Sequence, residues 1–295
     1  MSSRASGVLE NLAPDHSRRV GLLLVLPAAA SWGTWSLFLR PTHLPATVTT
    51  PIVFLAMGLV ALPFALRGPP VRWDRTTLGL VVANAAFDAI NLVLFFAAMQ
   101  RTTVAIAVLT HYFAPIFVAL VAPRIDGIAT RGAGPAAAVA VAGLAIILEP
   151  WRSAGGDALL GALLGTGSAI CFAGNTLTVR KLAMRIGPTR ALSYHSLIAG
   201  IGLFPLAIGQ LGAVTPGALA LLVTGSATIG AAAGIVFTIG LTRIGSARAA
   251  ILTFIEPIVA VALGVIVWGE PLHPTAMIGG ALVLGAGVQV VRKAR

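Results

Sequence analysis

The stretch FFAAMQRTTVAIAVLTHYFAPIFV at residues 95–118 has a counterpart 142 positions later, FTIGLTRIGSARAAILTFIEPIVA at 237–260. Arg101 matches Arg243, Ala105 matches Ala247, Ala107 matches Ala249, Pro115 matches Pro257 and Ile116 matches Ile258. Each copy reads as a short Arg-bearing turn followed by an apolar helix with a mid-span proline. Outward from the two copies, apolar runs between charged or Pro/Gly-rich breaks number ten: roughly 20–39, 46–66, 77–99, 103–122, 133–149, 157–179, 190–210, 217–240, 246–268 and 274–291. A bilayer core of about 30 Å takes about 20 apolar residues per helix, which these runs supply.

The copies pair spans 3–4 with spans 8–9, so each half holds five spans, and an odd number inverts the second half relative to the first. The expected fold is an all-α polytopic membrane protein, with ten transmembrane helices as two inverted five-helix repeats around a central cavity. The expected division is a cytoplasmic N-terminal tail (1–19), a first repeat (20–149), an inverted second repeat (157–291) and a cytoplasmic C-terminal tail (292–295). Halves related by an in-plane two-fold axis can exchange conformations around a midplane site. Duplication without such a mechanism is the alternative.

Composition agrees with this reading. Of the 295 residues 57% are hydrophobic and only 10% charged, with a mean hydropathy of +0.94. Soluble domains carry about 25% charged residues, so this chain lacks the polar surface to cover a soluble globule. A soluble enzyme, a disordered chain and a nucleic-acid-binding domain are thereby excluded. With the N-terminus in the cytoplasm, only Arg40, Arg101 and Arg152 of the 20 Lys and Arg residues fall outside. That bias follows the positive-inside rule and accounts for the net charge of +11 through basic loops facing anionic headgroups. A bacterial-type inner (plasma) membrane is the expected location. Residues 1–19 are polar and show no short apolar run ending at a cleavage site, so the first apolar run is expected to remain as a membrane helix. Cys171 is the sole cysteine, which excludes an intramolecular disulfide and a cysteine-based metal cluster.

Charge at the bilayer midplane costs several kcal/mol or more and so needs a reason. Asp88 and Glu256 are the acids deep in spans. Asn84, Asp88 and Asn91 follow at steps of four and three on one helical face, beside Phe87. They read either as a cavity wall able to bind an ammonium group or as interhelical hydrogen-bonding glue. Glu256 precedes Pro257, which leaves a carbonyl one turn earlier free. Proton coupling, through Glu256 or Asp88, stands beside a purely structural protonated glutamate. His111 and Tyr112 sit halfway down span 4 and suit a zwitterion with a ring, or simple core packing. In span 6, Ser168, Cys171 and Thr178 read as packing residues, and Asn175 as a cavity residue. Trp32 is deep enough to stack on a substrate; Trp35 reads as an interfacial anchor, and Tyr194 and His195 as peripheral. The pairs Gly161/Gly165 and Gly230/Gly234 read as close-packing motifs. Hinging is expected near Pro115 and Pro257, where backbone bonds are missing.

The runs FIEPIVA at 254–260, WGEPL at 268–272 and IGGALVLG at 278–285, with SWG at 31–33, resemble the drug/metabolite transporter superfamily, EamA type. Within it, residues 84–99 and HYFAP at 111–115 are similar to the YddG-type amino-acid exporters. The first half departs by having Ala114 where the second has Glu256. The resemblance implies a cavity lined by spans 1, 3, 4, 6, 8 and 9, and export of small metabolites, aromatic and large apolar amino acids foremost. Cationic drugs or other metabolites are the alternative cargo.

No phosphate-binding GxxxxGK[ST], HExxH or nucleophile motif occurs, so no catalytic residues, cofactor or metal are expected. Asp88 with His111 is the only conceivable catalytic pair. A channel would show rings of repeated pore-lining charge, unlike the asymmetric Asp88/Glu256 pair. The absence of buried Arg or Lys counts against phosphorylated cargo. Expected partners are a small-molecule substrate, an amino acid foremost, and the lipid bilayer, with no nucleic acid, in a monomer or dimer.

Overall fold

The computed structural model describes residues 3–68, 70–127, 132–152, 157–270 and 274–292, with side chains for all of these except 3–15, 152, 290 and 291. The outer ends of both expected tails, Arg131, and Pro271 and Leu272 of the C-terminal motif lie outside the described residues. The described chain is helical, with no strand. Its helices are α1 (Ser3–Trp32), α2 (Ser36–Leu39), α3 (Ala46–Leu66), α4 (Arg75–Arg101), α5 (Val104–His111), α6 (Ala114–Asp126) and α7 (Ala133–Leu148). There follow α8 (Ala158–Ile186), α9 (Pro188–Leu203), α10 (Pro216–Gly225), α11 (Ala233–Ile244), α12 (Ser246–Leu252), α13 (Ile255–Trp268) and α14 (Thr275–Arg292). Seven helical stretches are long and apolar enough to cross a membrane: His16–Thr42, Ala46–Leu66, Arg75–Arg101, Val104–Asp126, Ala158–Ile186, Pro216–Ile244 and Ser246–Trp268. Ala133–Leu148 and Thr275–Gln289 are shorter apolar helices, and α9 has 16 residues. Residues 3–19, expected as a tail, are helical, because α1 runs without a break into the first apolar run.

Local chemistry sets the ends. Asp74, Thr103, Asp157 and Thr215 accept backbone N–H bonds from the first turns of α4, α5, α8 and α10. Gly187 and Gly245, with φ of 86° and 85°, make tight turns into α9 and α12 that side chains with a Cβ rarely adopt. Three stretches are broken inside: α1/α2 at residues 33–35, α5/α6 at 112–113 and α12/α13 at 253–254. Between α10 and α11 the chain winds as a π-helix over Ser226–Ala232.

The main packing pairs are α4 with α8, α1 with α11, α3 with α9 and α7 with α14. In lipid, helices associate through close van der Waals approach, which small residues permit. Gly21 meets Gly240 where α1 crosses α11, and Gly161 packs on Thr102. A Cβ on Gly143 would lie 2.6 Å from the Gly279 carbonyl oxygen. Leu23, Leu159, Ile266 and Met277 point outward with more than 70% exposure, a lipid-facing girdle.

The α7–α14 crossing gives a direct test. Gly279→Ala places a methyl against the Gly143 carbonyl and Ile147, whereas a Cβ on neighbouring Gly280 meets nothing within 4 Å. Gly279→Ala is expected to cost about 1–3 kcal/mol through overpacking. Gly280→Ala is expected to be neutral in thermal unfolding of the detergent-solubilised protein. Equal melting temperatures for the two variants would contradict this packing.

Candidate functional site: a carboxylate-bearing aromatic cavity

A cavity of about 590 Å³ lies at the centre of the bundle. Its wall is mostly apolar and rich in rings: Trp32, Trp35, Phe54, Phe95, Phe96, Tyr112, Phe172 and Phe237. The helix breaks help to build it, since Tyr112 and Thr253 sit in the interruptions of α5/α6 and α12/α13, next to Pro115 and Pro257. The π-helical turn contributes too. Gly230 lines the cavity, and the Ile229 carbonyl accepts the Trp32 indole N–H at 3.1 Å. Trp32 also packs on Phe237, with ring centroids 4.6 Å apart.

Polar groups reach this wall at a few points. Asp88 Oδ2 lies 3.2 Å from His195 Nε2, and His195 Nδ1 lies 2.7 Å from the Ala191 carbonyl. Ser168 donates to Asn91 Oδ1 at 2.7 Å, and His111 Nδ1 lies 2.8 Å from the same hydroxyl. With the Ser168 proton committed to Asn91, His111 serves as the donor through Nδ1. Its ring packs on Phe95 and Phe172 at 4.8 and 5.2 Å. Across the cavity the Tyr112 hydroxyl faces the Glu256 carboxylate. The Asn175 side chain is part of the wall, and its Nδ2 has no hydrogen-bond partner in the protein.

Asp88, Asn91, His111, Tyr112, Asn175, Trp32, Glu256, Pro115 and Pro257 therefore surround one space. Asn84 does not. It is fully buried, with Nδ2 aimed at the Asn175 carbonyl at 3.5 Å, because α8 presses on α4 one turn below the cavity. It serves as interhelical glue, which corrects its expected place at the binding wall. The merely conceivable Asp88–His111 pair is not formed: Asp88 is engaged by His195, and His111 by Ser168. His195, expected to be peripheral, lies two turns inside α9 because that helix starts at Pro188, and the α4–α9 packing brings it to Asp88. Trp35, expected as an interfacial anchor, faces the cavity. The wall extends beyond the six expected spans to α3, through Thr49, Thr50 and Met57, and to α9, through Leu192 and His195. The His at an eighth helical position after Gly-Pro was the sequence signal available for His195.

Ion pairs stand at both ends of the bundle. At one end Arg40 contacts Glu270 at 2.6 Å with both side chains about half exposed, and its guanidinium lies 5.3 Å from the Trp268 ring centroid. At the other, Arg180 contacts Asp126 at 3.2 Å, and Asp126 Oδ2 also accepts the Ser246 N–H at 2.8 Å. Here the side chains are only 6% and 1% exposed. Arg180 and the largely buried Arg248 correct the expectation that no arginine is buried. Beside them on the surface, the Thr77 amide and hydroxyl and the Arg185 guanidinium hold Asp74 down to about 2. Among the described residues no three His, Cys, Asp or Glu side chains converge as a metal site.

The sequence model of the EamA-like transporter family matches residues 19–148 and again 159–291. An uncharacterized transporter of Archaeoglobus fulgidus is 31% identical over 280 residues, spanning 92% of this chain and 96% of that protein. The uncharacterized transporter YwfM of Bacillus subtilis is 30% identical over 273 residues, 89% of this chain and 90% of that one. A solved crystal structure superposes with a TM-score of 0.80 over 92% of this chain and 98% of its own, at 19% identity, and so shares the fold.

Proposed function

The chain belongs to the EamA-like transporter family, within the drug/metabolite transporter superfamily, and as a multi-pass membrane transporter we propose that it exports small metabolites, amino acids foremost, with an ammonium group and an aromatic or large apolar body. The observation that carries this reading is a carboxylate, Asp88, set in a ring-lined cavity with ample room for an amino acid. In the proposal Asp88 holds the ammonium group. The unpartnered Asn175 amide receives the carboxylate, and the rings of Tyr112 and His111 join Trp32, Phe95, Phe172 and Phe237 in holding the side chain. This is the YddG-like specificity.

The proposed mechanism is alternating access by ten spans in two inverted five-helix halves, with both termini in the cytoplasm of a bacterial-type inner membrane. The family model's two consecutive matches support the duplication. The packing supports a two-fold relation between the halves, which the odd number of spans in each makes an inversion. Exchanging the halves turns the α4–α8 pair into α11–α1 and maps α3–α9 and α7–α14 onto themselves. The breaks before Pro115 and Pro257 fall at matching places and are the proposed hinges. The Arg180–Asp126 and Arg40–Glu270 pairs likewise join the ends of matching helices, on opposite faces. One chain supplies the whole cavity wall, which supports a single chain as the transport unit, alone or in a dimer.

A second cargo has its own support: among the described residues no Lys or Arg lines the cavity, which favours organic cations without a carboxylate. Counterflow in proteoliposomes tests both. Vesicles loaded with unlabelled phenylalanine are expected to accelerate uptake of labelled phenylalanine in a saturable manner. Acceleration by phenethylammonium but not by phenylalanine would favour the cation reading. Non-saturating flux would indicate a channel, and absence of exchange with either compound, from folded protein, would remove both cargoes.

A further inference from the structure

We propose that Asp88 and His195 form a proton-binding dyad that exchanges one shared proton for the ammonium group of an incoming substrate. The proposal rests on the reading of the cavity as an ammonium-binding site. His195 Nδ1 lies 2.7 Å from the Ala191 carbonyl oxygen, which can only accept, so Nδ1 carries a hydrogen. In a neutral imidazole Nε2 is then a bare acceptor. Nε2 nevertheless sits 3.2 Å from Asp88 Oδ2. Two lone pairs do not make that contact, so a proton lies between them. Either the imidazole is cationic beside a carboxylate, or a neutral imidazole accepts from a carboxylic acid. Both forms have the same total charge of zero and one proton more than a neutral His195 beside an ionised Asp88.

The surroundings make this proton exchangeable. His195 is 6% exposed and held in place by its own helix, while Asp88 is 17% exposed and faces the cavity. The dyad therefore has one anchored member and one accessible member. The other titratable groups leave it to act alone. Against α9, the helix α3 brings no titratable side chain, and α11 brings Arg243 only at its terminus. α8 brings Cys171, Arg180, Lys181 and Arg185, of which Arg180 pairs with Asp126 and Arg185 with Asp74. Against α4, α5 brings His111, which is bound to Ser168. α9 itself adds Arg190, bonded to the Gly68 carbonyl, and Tyr194, stacked on Trp73. Tyr112 and Glu256 are hydrogen-bonded to one another.

The exchange balances. The protonated dyad, of zero charge, plus an ammonium cation gives an Asp88 carboxylate paired with that ammonium, a neutral His195 and a proton released to cavity water. No bond other than to that proton changes. Each substrate bound expels one proton, and a proton bound expels the substrate, which is the linkage an antiporter needs.

Two measurements on detergent-solubilised protein test it. The chain has five histidines, so nitrogen NMR of histidine-labelled protein resolves His195 against a His195→Gln spectrum. In Asp88→Asn, the His195 Nε2 resonance is expected to move, because the proton shared with the carboxylate is gone and Nε2 only accepts from the amide. An unchanged Nε2 resonance overturns the dyad. Separately, phenethylammonium chloride is added to weakly buffered protein with a pH-indicator dye. Wild type is expected to release about one proton per probe bound, and His195→Gln several-fold less per probe bound. Binding without release, or the same release ratio in His195→Gln, overturns the proposal. If phenethylammonium does not bind, the ammonium-site reading fails, and the NMR comparison still decides the shared proton.

Discussion

Asp88→Asn is expected to lower the transport kcat/KM for phenylalanine by about 30- to 1000-fold. The carboxylate sits in a mostly apolar wall to which, among the described residues, no Lys or Arg belongs, and it is the cavity group assigned to the ammonium. Removing one member of a buried charge pair costs about 2–4 kcal/mol, and each 1.4 kcal/mol is tenfold. The fold is expected to survive, because an Asn amide can donate to His195 Nε2 while Nδ1 keeps its bond to Ala191. Uptake kinetics in proteoliposomes, with a melting curve on the same preparation, separate the two effects. Wild-type kinetics would remove Asp88 from the site. Glu256→Gln is the matched control, since it keeps the side-chain shape opposite Tyr112. A pH profile that flattens in Glu256→Gln but not in Asp88→Asn would move proton coupling to Glu256.

The second large effect is expected at the buried end of the bundle. Asp126→Ala strands Arg180, 6% exposed, without its partner. Breaking a buried pair in this way costs about 3–5 kcal/mol. The same principle says that replacing both members by apolar side chains of similar size is far less harmful. The double variant Asp126→Leu/Arg180→Met is therefore expected to recover most of the lost melting temperature. Arg40→Ala, at the half-exposed Arg40–Glu270 pair, is expected to cost about 1 kcal/mol or less. Similar losses from Arg40→Ala and Asp126→Ala would show that burial does not set the strength of these contacts. In the proposed alternating access each pair joins helix ends that separate, so Asp126→Ala is also expected to raise the labelling of a cavity-wall cysteine, introduced as Met57→Cys, by thiol reagents applied from that end.

Much of this molecule is legible in its residues, and the boundary of that legibility is physical. The run 46–66 matches α3 end for end, since a polar loop and Pro45 precede it and Arg67 follows. Helical periodicity placed Asp88 and Asn91 on one face, and both reach the cavity. The same periodicity placed Asn84 with them, and there it failed. Spacing fixes a face of a helix but not which neighbour covers each turn, and α8 covers that one. His195 was misplaced for a similar reason: depth depends on where a helix starts, and Pro188 starts α9 early. The Asp126–Arg180 contact joins residues from helices far apart in sequence, so no local pattern announces it. The π-helical turn is invisible to a period of 3.6, because it occurs in apolar residues that satisfy either winding.

That turn gives the cavity a mechanical clutch. A π-helix holds an extra residue in what would otherwise be regular α-helix. Removing one residue from Ser226–Ala232 would let the helix close up into regular α-helix, and the segment beyond it would keep nearly the same facing. Phe237 and Gly234 would stay in the wall, while the turn's own contributions, the Gly230 backbone and the Ile229 carbonyl that holds Trp32, would be rebuilt. A single-codon deletion or insertion there, rather than a set of point substitutions, is thus a short route by which such a carrier could trade one cargo for another.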